Sequence, residues 1–570
     1  MKICGIKLTH DGAVALIDDG NLIFSVEIEK LNNNPRYKDI TDTFLIKKII
    51  EDNGYSLDEI DYFVVDGWGG YNKDELAIQP RLQQGTECNM LDISSNNKDY
   101  KLNVSFYEEK TSKDNILKPL KFNGLIIDDK NYEYYSFLHV TGHVMSAYST
   151  SPFSKNGEAS YILVWDGGMY PRLYYFDPKE GEMENLGPIF LLIGNIYTIF
   201  SQHFGPFKVN GKFAKDNLSV AGKVMAYIAL GEPKTELFKI FDEIYEKKYL
   251  SPMGFANFFA NEFKEYIKDK NYKDEDILAT MHAYIEQLLI NKLEKKIKRH
   301  KKECKNICLA GGCALNIKWN SAIRNKMNFD SVYVSPFPND SGSAIGNACS
   351  LMYHLEGKSY LKWNVYSGPN IIENSPADGW IVKDCNIKEL ALLLNNNDEP
   401  IVFLNGRAEL GPRALGNRSI IASPKSKYMK AILNKVKKRE FYRPISPICL
   451  EEYSQDIFIP GTSDPYMLFD HLVRKEYLDK IPAICHLDES ARLQTITKER
   501  NPIVYELISE FYKLSGIPVI CNTSANYNGR GFFCDIESVT SWGETNYVWC
   551  NNKLYEKKDK VSFSEFKEDF

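Results

Sequence analysis

The chain has 570 residues, enough for two or three domains that each bury a core, and its 44% hydrophobic and 26% charged residues are those of an ordinary soluble protein. A formal net charge of −6 argues against a broad nucleic-acid surface, although basic residues concentrate between 407 and 443 and allow a local anion site there. No run approaches the ~18 apolar residues of a membrane-spanning helix, and the twelve cysteines include no CxxC pair, so neither a zinc knuckle nor a disulfide framework is expected.

The N-terminus, Met1-Lys2-Ile3-Cys4-Gly5-Ile6, reads as a strand and lacks the apolar core of a signal peptide. The scattered cysteines fit a reduced cytoplasm, with Cys308, Cys313 and Cys521 expected as small buried residues. Lys2 to Ile6, Ala13 to Ile17 and Asn21 to Glu29 form three predicted strands. Between the first two, Thr9-His10-Asp11-Gly12 is a turn that presents His10 and backbone amides at its tip. Thr43 to Asn53 is a predicted helix and Asp61 to Val65 the next strand. Residues 72–130 are polar and weakly patterned; they read as a surface insertion or a pair of irregular strands.

In Phe137-Leu138-His139-Val140-Thr141-Gly142-His143-Val144, two histidines stand four apart and share one face of a helix, with apolar residues on the other. Two imidazoles so placed can hold one metal ion, and Asp340 in Pro338-Asn339-Asp340-Ser341-Gly342 is the candidate third ligand. Two His and a carboxylate with open positions is the facial arrangement associated with Fe(II), with Zn and Mn as alternatives. A pair of merely packing histidines is the competing reading.

Ala159 to Trp165 is a buried strand ending at Asp166-Gly167-Gly168, where the backbone can approach a phosphate or a metal-bound ligand. Arg172 to Phe176 resumes the sheet, and Ala221-Gly222-Lys223 opens a helix whose glycine and lysine can meet phosphate. Residues 233–302 are helical: Glu236 to Lys247, Asn257 to Asp269, and Ile277 to His300. His203, His282 and His300 are assigned structural or exposed roles. Asn306 to Leu309 runs into Gly311-Gly312 and a helix preceded by Asn316, and Val332 to Val334 runs into the Asp340 loop and a helix from Ala344. Repeated strand–glycine loop–helix units point to a two-lobed α/β nucleotide fold with ligands gathered at one cleft.

The texture changes over 357–378, which marks the domain boundary between 1–356 and 370–555. Beyond a helix near Ile387 to Asn395 and a strand Pro400 to Leu404, Arg407, Arg413 and Arg418 fall among glycines. Lys437, Arg439, Arg443 and Arg492 follow, and Asn522, Thr523 and Ser524 end the buried strand that starts at Pro518. Guanidinium forks fit phosphate bidentately and lysine adds a point charge. A plain basic surface would spread its charges evenly, and these sit in Gly- and Pro-containing loops.

These segments together resemble the O-carbamoyltransferases of natural-product and nodulation-factor biosynthesis. The motifs run nearly end to end: THDGAVALIDDG, HVTGHVMSAY, AGKVMAYIALG, LAGGCALN, PNDSGSAIG, GRAELGPRALGNRS, VKKREFYRP, ARLQTI and CNTSANYNGRG. EIEKLNNNPRY, WDGGMYPRLYYF, the Pro336-Phe337-Pro338 turn and NTSANYNGRGFF are similar to the branch that acts on ansamycin macrolactams and lipochitooligosaccharides. The sequence departs from the wider family at Ala525, where many relatives carry Phe, and at Ala221, where many carry an acidic residue.

The resemblance implies an actin/hexokinase-like first domain, similar to threonylcarbamoyl transferases, and an α+β YrdC-like second domain, similar to threonylcarbamoyl-AMP synthase. It implies that carbamoyl phosphate and Mg-ATP form carbamoyladenylate in the second domain, and that a hydroxyl of a small-molecule acceptor takes the carbamoyl group in the first. By this likeness His139, His143 and Asp340 hold the divalent metal, iron by preference. Asp166, Gly167, Gly168, Lys223, Gly311, Gly312 and Asn316 cradle the nucleotide, and His10 is the general base. Arg407, Arg413, Arg418, Ser419, Lys437, Arg439, Arg443, Arg492, Asn522, Thr523 and Ser524 hold carbamoyl phosphate and ATP. A homodimer is expected by the same likeness, with no nucleic-acid or membrane partner. The rivals are a tRNA threonylcarbamoyl-type transferase, an actin-like small-molecule kinase and a non-catalytic scaffold. The charge and the presence of both domain types disfavour the first, and the arginine-rich second part is unexplained by the second.

Overall fold

The computed structural model describes residues 1–68, 88–209, 217–247 and 251–563. The chain divides into two compact units, Met1–Ile28 with Tyr37–Asn364, and Glu29–Arg36 with Val365–Phe570. Both are mixed α/β, and no helix among the described residues is long and apolar enough to cross a membrane.

The strands of the first unit are β1 (Lys2–Lys7), β2 (Ala13–Asp18), β3 (Asn21–Glu27), β4 (Tyr62–Asp66), β5 (Asn89–Ser95), β6 (Lys98–Val104), β7 (Leu120–Ile127), β8 (Lys130–Phe137), β9 (Ser160–Val164), β10 (Arg172–Asp177), β11 (Glu182–Pro188), β12 (Asn306–Ala310) and β13 (Ser331–Val334). One sheet runs β3-β2-β1-β4-β8-β7 and another β11-β10-β9-β12-β13. The two share a plan. An antiparallel three-strand meander (β1–β3, β9–β11) offers its first strand to two further strands that add in parallel, β4 and β8 in one case, β12 and β13 in the other.

The histidine helix, His139–Ser149, packs against β9 and β12, and the helix Ser343–Glu356 packs against β1, β2 and β4; the two helices pack on each other between the sheets. Hence every residue of the histidine helix is buried, not one face of it as the sequence pattern suggests. The helices cross closely because both carry glycine at the crossing: a Cβ on Gly346 would lie 1.8 Å from the Gly142 carbonyl oxygen.

Of the two readings of the polar stretch, a surface insertion or a pair of irregular strands, its described part follows the second and goes beyond it, with β5, β6, β7 and the start of β8 in two hairpins. Residues 72–87 of it lie outside the described residues, but β5 and β6 form a hairpin and the hairpin β7–β8 joins the main sheet. The helical stretch holds helices Phe238–Tyr245, Pro252–Ile267 and Asp274–His300, the last with Asp274, Glu275 and Asp276 at its N-terminus and Lys298, Arg299 and His300 at its C-terminus, matching the helix dipole.

The second unit is built on an eight-stranded mixed sheet, β14-β24-β23-β15-β16-β22-β17-β21. Its strands are β14 (Trp380–Asp384), β15 (Ile401–Leu404), β16 (Arg418–Ala422), β17 (Ser446–Leu450), β18 (Phe458–Ile459), β19 (His471–Val473), β20 (Ser490–Ala491), β21 (Gln494–Ile496), β22 (Val519–Ser524), β23 (Tyr547–Cys550) and β24 (Lys553–Lys557), with β18, β19 and β20 in a small separate sheet. The amphipathic helices Ile387–Asn396 and Pro502–Ser515 pack together, burying Leu390, Leu394, Leu507 and Phe511 in the core. Segment Glu29–Arg36 pairs into this unit through a bridge between Pro35 and Arg530.

Candidate functional site

In the first unit the two histidines and Asp340 do converge. His139 Nε2 and His143 Nε2 face each other at 3.1 Å, and each lies 3.4 Å from Asp340 Oδ1. Asp166 joins them: one ligand atom from each of the four residues fits within 4.8 Å of the others. The i,i+4 spacing places both imidazoles on one turn-separated face, and the short helical turn Asp340–Gly342 presents the carboxylate just ahead of the helix Ser343–Glu356.

The donor set fits a divalent cation. His139 Nδ1 lies 2.7 Å from Asp66 Oδ2 and must donate there, because a carboxylate only accepts; its neutral form then turns the Nε2 lone pair into the cluster. Asp66 also accepts Asn347 Nδ2 at 2.7 Å and pairs with Lys7 Nζ at 3.0 Å, and Lys7 reaches Asp340 Oδ2 at 3.1 Å. Lys7, Asp66, Asp340 and both histidines are all buried. Burial opposes the imidazolium at His139, yet Asp66 and Asp340 beside it raise its pKa to about 9. Burial likewise opposes the carboxylate at Asp340, but Lys7, His139 and His10 hold its pKa well below the ordinary value. With three carboxylates against one lysine, the neutral-imidazole form carries two excess negative charges, the complement of a 2+ ion.

His10 sits at the rim, 36% exposed, with Nε2 3.5 Å from Asp340 Oδ2 and Nδ1 3.2 Å from Asp11 Oδ2. Burial works against its protonation, and the two carboxylates outweigh it, so its pKa is raised. Trp68 stands edge-on to His10 and His139 at 5.1 Å each, with Lys7 Nζ 3.9 Å from its ring centroid.

The glycine loops meet at Asp166. Gly312 N–H donates to Asp166 Oδ1 at 2.8 Å, and Tyr107 OH donates to Oδ2. Gly311, at φ +84°, lets the two loops touch: a Cβ there would lie 2.4 Å from the Trp165 carbonyl oxygen. A Cβ on Gly167 would meet Asn195 Oδ1 at 2.9 Å; Gly168 follows in the same turn. Asn316 caps the helix Ile317–Lys326 by accepting from Trp319 N–H, so it has a structural task independent of any ligand. Lys223 is half-buried on the helix Val220–Tyr227. Cys308 and Cys521 are buried as expected; Cys313 is only partly so, and its thiol pKa is pushed well up by burial.

Sequence reasoning passed over Lys7, Asp66, Trp68, Tyr107 and Asn347. Tyr107 lies in the polar stretch, yet Phe106 and Tyr107 carbonyls accept the His139 and Val140 N–H groups that begin the histidine helix, and the Tyr107 ring lies 4.6 Å from that of His139. A buried polar segment that caps a helix has no periodic signature.

In the second unit the basic residues separate into two kinds. Arg418 is 1% exposed and spends its guanidinium on backbone: Nη1 donates to Asn405 and Asn417 carbonyls at 2.9 Å each, Nη2 to Gly406 at 2.8 Å and Pro369 at 3.3 Å. Arg407 donates to Gly368 and Ser367 carbonyls, and Arg413 is half-buried in the same loop. That loop winds round buried Glu409, whose Oε1 accepts the N–H groups of Leu415, Asn417 and Arg418. Ser419 Oγ accepts from Gly416 N–H, and Asn522 Nδ2 donates to the Ala414 carbonyl. Thr523 is buried, and Ser524 Oγ donates to Asn526 Oδ1.

The other kind is a cluster of like charges. Lys437 Nζ donates to Ser524 and Asn526 carbonyls and to Asn526 Oδ1, at 2.8, 2.7 and 2.6 Å. Burial, then Arg439, Arg36 and Arg443, push its pKa well down. Burial and Arg443 lower Arg439 to about 9; burial, Arg443 and Arg439 lower Arg492 to about 10. Glu440 beside Arg439 and Asp464 beside Arg492 offset part of that repulsion.

The family model described as carbamoyltransferase N-terminus matches residues 2–349, and the one described as carbamoyltransferase C-terminus matches 391–557. The chain is 46% identical to nodulation protein U of Rhizobium tropici over 98% of its own length and 96% of that protein. It is also similar to the 3'-hydroxymethylcephem-O-carbamoyltransferases of Streptomyces clavuligerus (29% identical over 98% of this chain and 99% of that one) and Amycolatopsis lactamdurans (30%, over 96% and 97%).

Proposed function

From the premise that this chain belongs to the carbamoyltransferase family and is a carbamoyltransferase, we propose that it works in two chemical steps on an alcohol of a small-molecule natural product. In the first, carbamoyl phosphate and ATP react in the second unit, residues 370–555 of it above all, to give carbamoyladenylate, phosphate and pyrophosphate. Atom balance requires one water, which ends on the released phosphate. In the second, an acceptor hydroxyl attacks the carbamoyl carbon in the first unit, within 1–356; the C–O bond to AMP breaks and AMP leaves with its electron pair.

The observation that carries this reading is the pairing, in one chain, of a cation-ready cluster with an anion-ready cluster. Lys437, Arg439, Arg443 and Arg492 would bind the phosphoryl groups, with Thr523 and Ser524 beside them. Arg407, Arg413 and Arg418, with Ser419 and Asn522, would keep the adjoining loop in shape and lend it positive potential. In the first unit His139, His143, Asp340 and Asp166 would hold the divalent metal, iron by preference, and a metal bound there supplies Lewis-acid charge to a phosphate-side oxygen. Gly167, Gly168, Gly311, Gly312, Asn316 and Lys223 would line the nucleotide, and His10 at the exposed rim would take the hydroxyl proton. The repeated sheet plan supports an actin/hexokinase-like first domain, and the eight-stranded mixed sheet supports a YrdC-like second. The relatives named for the hydroxymethyl cephem support an alcohol as acceptor.

The test is pyrophosphate release by the purified full chain. Release that needs ATP and carbamoyl phosphate together, before any acceptor is added, is expected; release of ADP, or release indifferent to carbamoyl phosphate, overturns the scheme.

A further inference from the structure

Lys7 ends β1 in the first unit, is 1% exposed, and has no task in either chemical step. Its ammonium carries three hydrogens, and three oxygens surround it: Asp66 Oδ2 at 3.0 Å, Asp340 Oδ2 at 3.1 Å and Thr9 Oγ1 at 2.7 Å. The Trp68 ring covers it, with the centroid 3.9 Å from Nζ. No hydrogen is left for a substrate, so Lys7 is neither a phosphate ligand nor a proton donor. What it contributes is a fixed positive charge.

That charge stands beside the metal cluster. Asp340 divides its oxygens: Oδ2 faces Lys7, while Oδ1 faces Nε2 of His139 and of His143 at 3.4 Å each. Lys7 thus holds one oxygen and leaves the other to the cation. Asp66, Asp166 and Asp340 together carry three negative charges, and a divalent ion offsets two of them. Among the described residues, Lys7 is the one lysine or arginine at ion-pair distance from any of the three, and it offsets the third. Asp11 belongs to the rim, where its Oδ2 lies 3.2 Å from His10 Nδ1. Without Lys7 the metal-loaded cluster keeps a surplus negative charge in a buried setting, and that charge repels phosphate. Lys7 removes the surplus, and being a like charge it also weakens the hold on the metal.

We propose that Lys7 is a positioning residue of carbamoyl transfer: a built-in cation that cancels the surplus charge of the metal-loaded cluster and so admits the phosphate of carbamoyladenylate. This rests on the two-step reading above. The test uses the full chain with Lys7→Met, which removes the charge and the hydrogen bonds, and with Lys7→Gln, which keeps a donor without the charge. Mn²⁺ affinity is read by competition with a chelator. AMP, the leaving group, is titrated calorimetrically into Mn²⁺-loaded and into metal-stripped protein. Both variants should bind Mn²⁺ about 10-fold more tightly than wild type, because a like charge has gone. The metal-dependent part of AMP binding should weaken about 10-fold. The sign separates this role from that of a plain tie between strands, since loss of a structural contact behind a ligand loosens metal binding. Weaker Mn²⁺ binding in both variants, or an unchanged AMP affinity, overturns the inference. If AMP binds wild type equally with and without metal, the placement of the nucleotide in the first unit fails instead, and the Mn²⁺ affinities still decide whether Lys7 acts by its charge.

Discussion

The two clusters solve opposite electrostatic problems. Around His139 the buried charges alternate: Lys7 lies between Asp66 and Asp340, and Asp66 braces the imidazole that faces Asp340. Around Lys437 the neighbours are Arg36, Arg439 and Arg443, and the lysine's hydrogen bonds go to neutral oxygens, not carboxylates. An isolated buried charge is costly, and paired charges are tolerated because each partner offsets the other's lost hydration. The first cluster is thus nearly self-sufficient and short of one cation. In the second, Lys437 is held in place by carbonyl dipoles and the Asn526 side-chain oxygen. In the proposed scheme the first would hold a small ion that stays, and the second phosphates that come and go.

The sharpest way to break that contrast is to cross the two assays. His143→Ala should remove carbamoyl transfer altogether and strip the metal as read by elemental analysis, yet leave acceptor-free pyrophosphate release intact. Lys437→Ala should lose pyrophosphate release and keep its metal, with transfer from supplied carbamoyladenylate intact. Equal loss of both activities in both variants means the clusters serve one step. Next in size is His10→Asn, where loss of a general base should slow transfer about 10²–10⁴-fold with metal content unchanged. Transfer at the wild-type rate under saturating acceptor would remove His10 from proton transfer. Smaller again is Asp66→Asn, which keeps the shape but weakens the acceptor for His139 Nδ1 and the partner of Lys7. Metal affinity measured by chelator competition should fall about 10- to 100-fold, and an unchanged affinity would reduce Asp66 to packing.

The same contrast separates what was legible in the sequence. His139 and His143 announce themselves by spacing, and Asp340 by a Pro-Asn-Asp turn ahead of a helix. The strands read correctly where apolar runs are bounded by glycine. Lys7 and Asp66 carry no such signal. Each is a single charge at the end of an apolar strand, and only the pairing of β1 with β4 brings them together. Arg418 shows the converse difficulty: a guanidinium among glycines looks the same whether it meets phosphate or, as here, backbone carbonyls. The Asn-rich stretch around Arg36 has the texture of a surface loop, since hydrogen bonding by backbone leaves no pattern of side chains.

The smallest expected effect probes why the first cluster is so tight. Asp340 precedes one central helix and the two histidines ride on the other, so the distance between the helix axes sets the ligand spacing. Gly346 and Gly142 fix that distance. A methyl on Gly346 would meet backbone, 1.8 Å from the Gly142 carbonyl oxygen and 2.6 Å from its carbon, and backbone inside a helix cannot turn aside as a side-chain tip does. The helices must therefore separate, straining the Asn347–Asp66 hydrogen bond as well. Gly346→Ala should cost about 1–3 kcal/mol of stability in denaturant titration, as overpacked cores do. It should also loosen metal binding although no ligand has changed. The second unit supplies the control, because its cations belong to a different compact unit from this helix pair: pyrophosphate release in the folded variant should be untouched. A variant that is destabilised but binds metal as tightly as wild type would show that the ligand spacing is set by the loop around Asp340, not by the crossing of the helices.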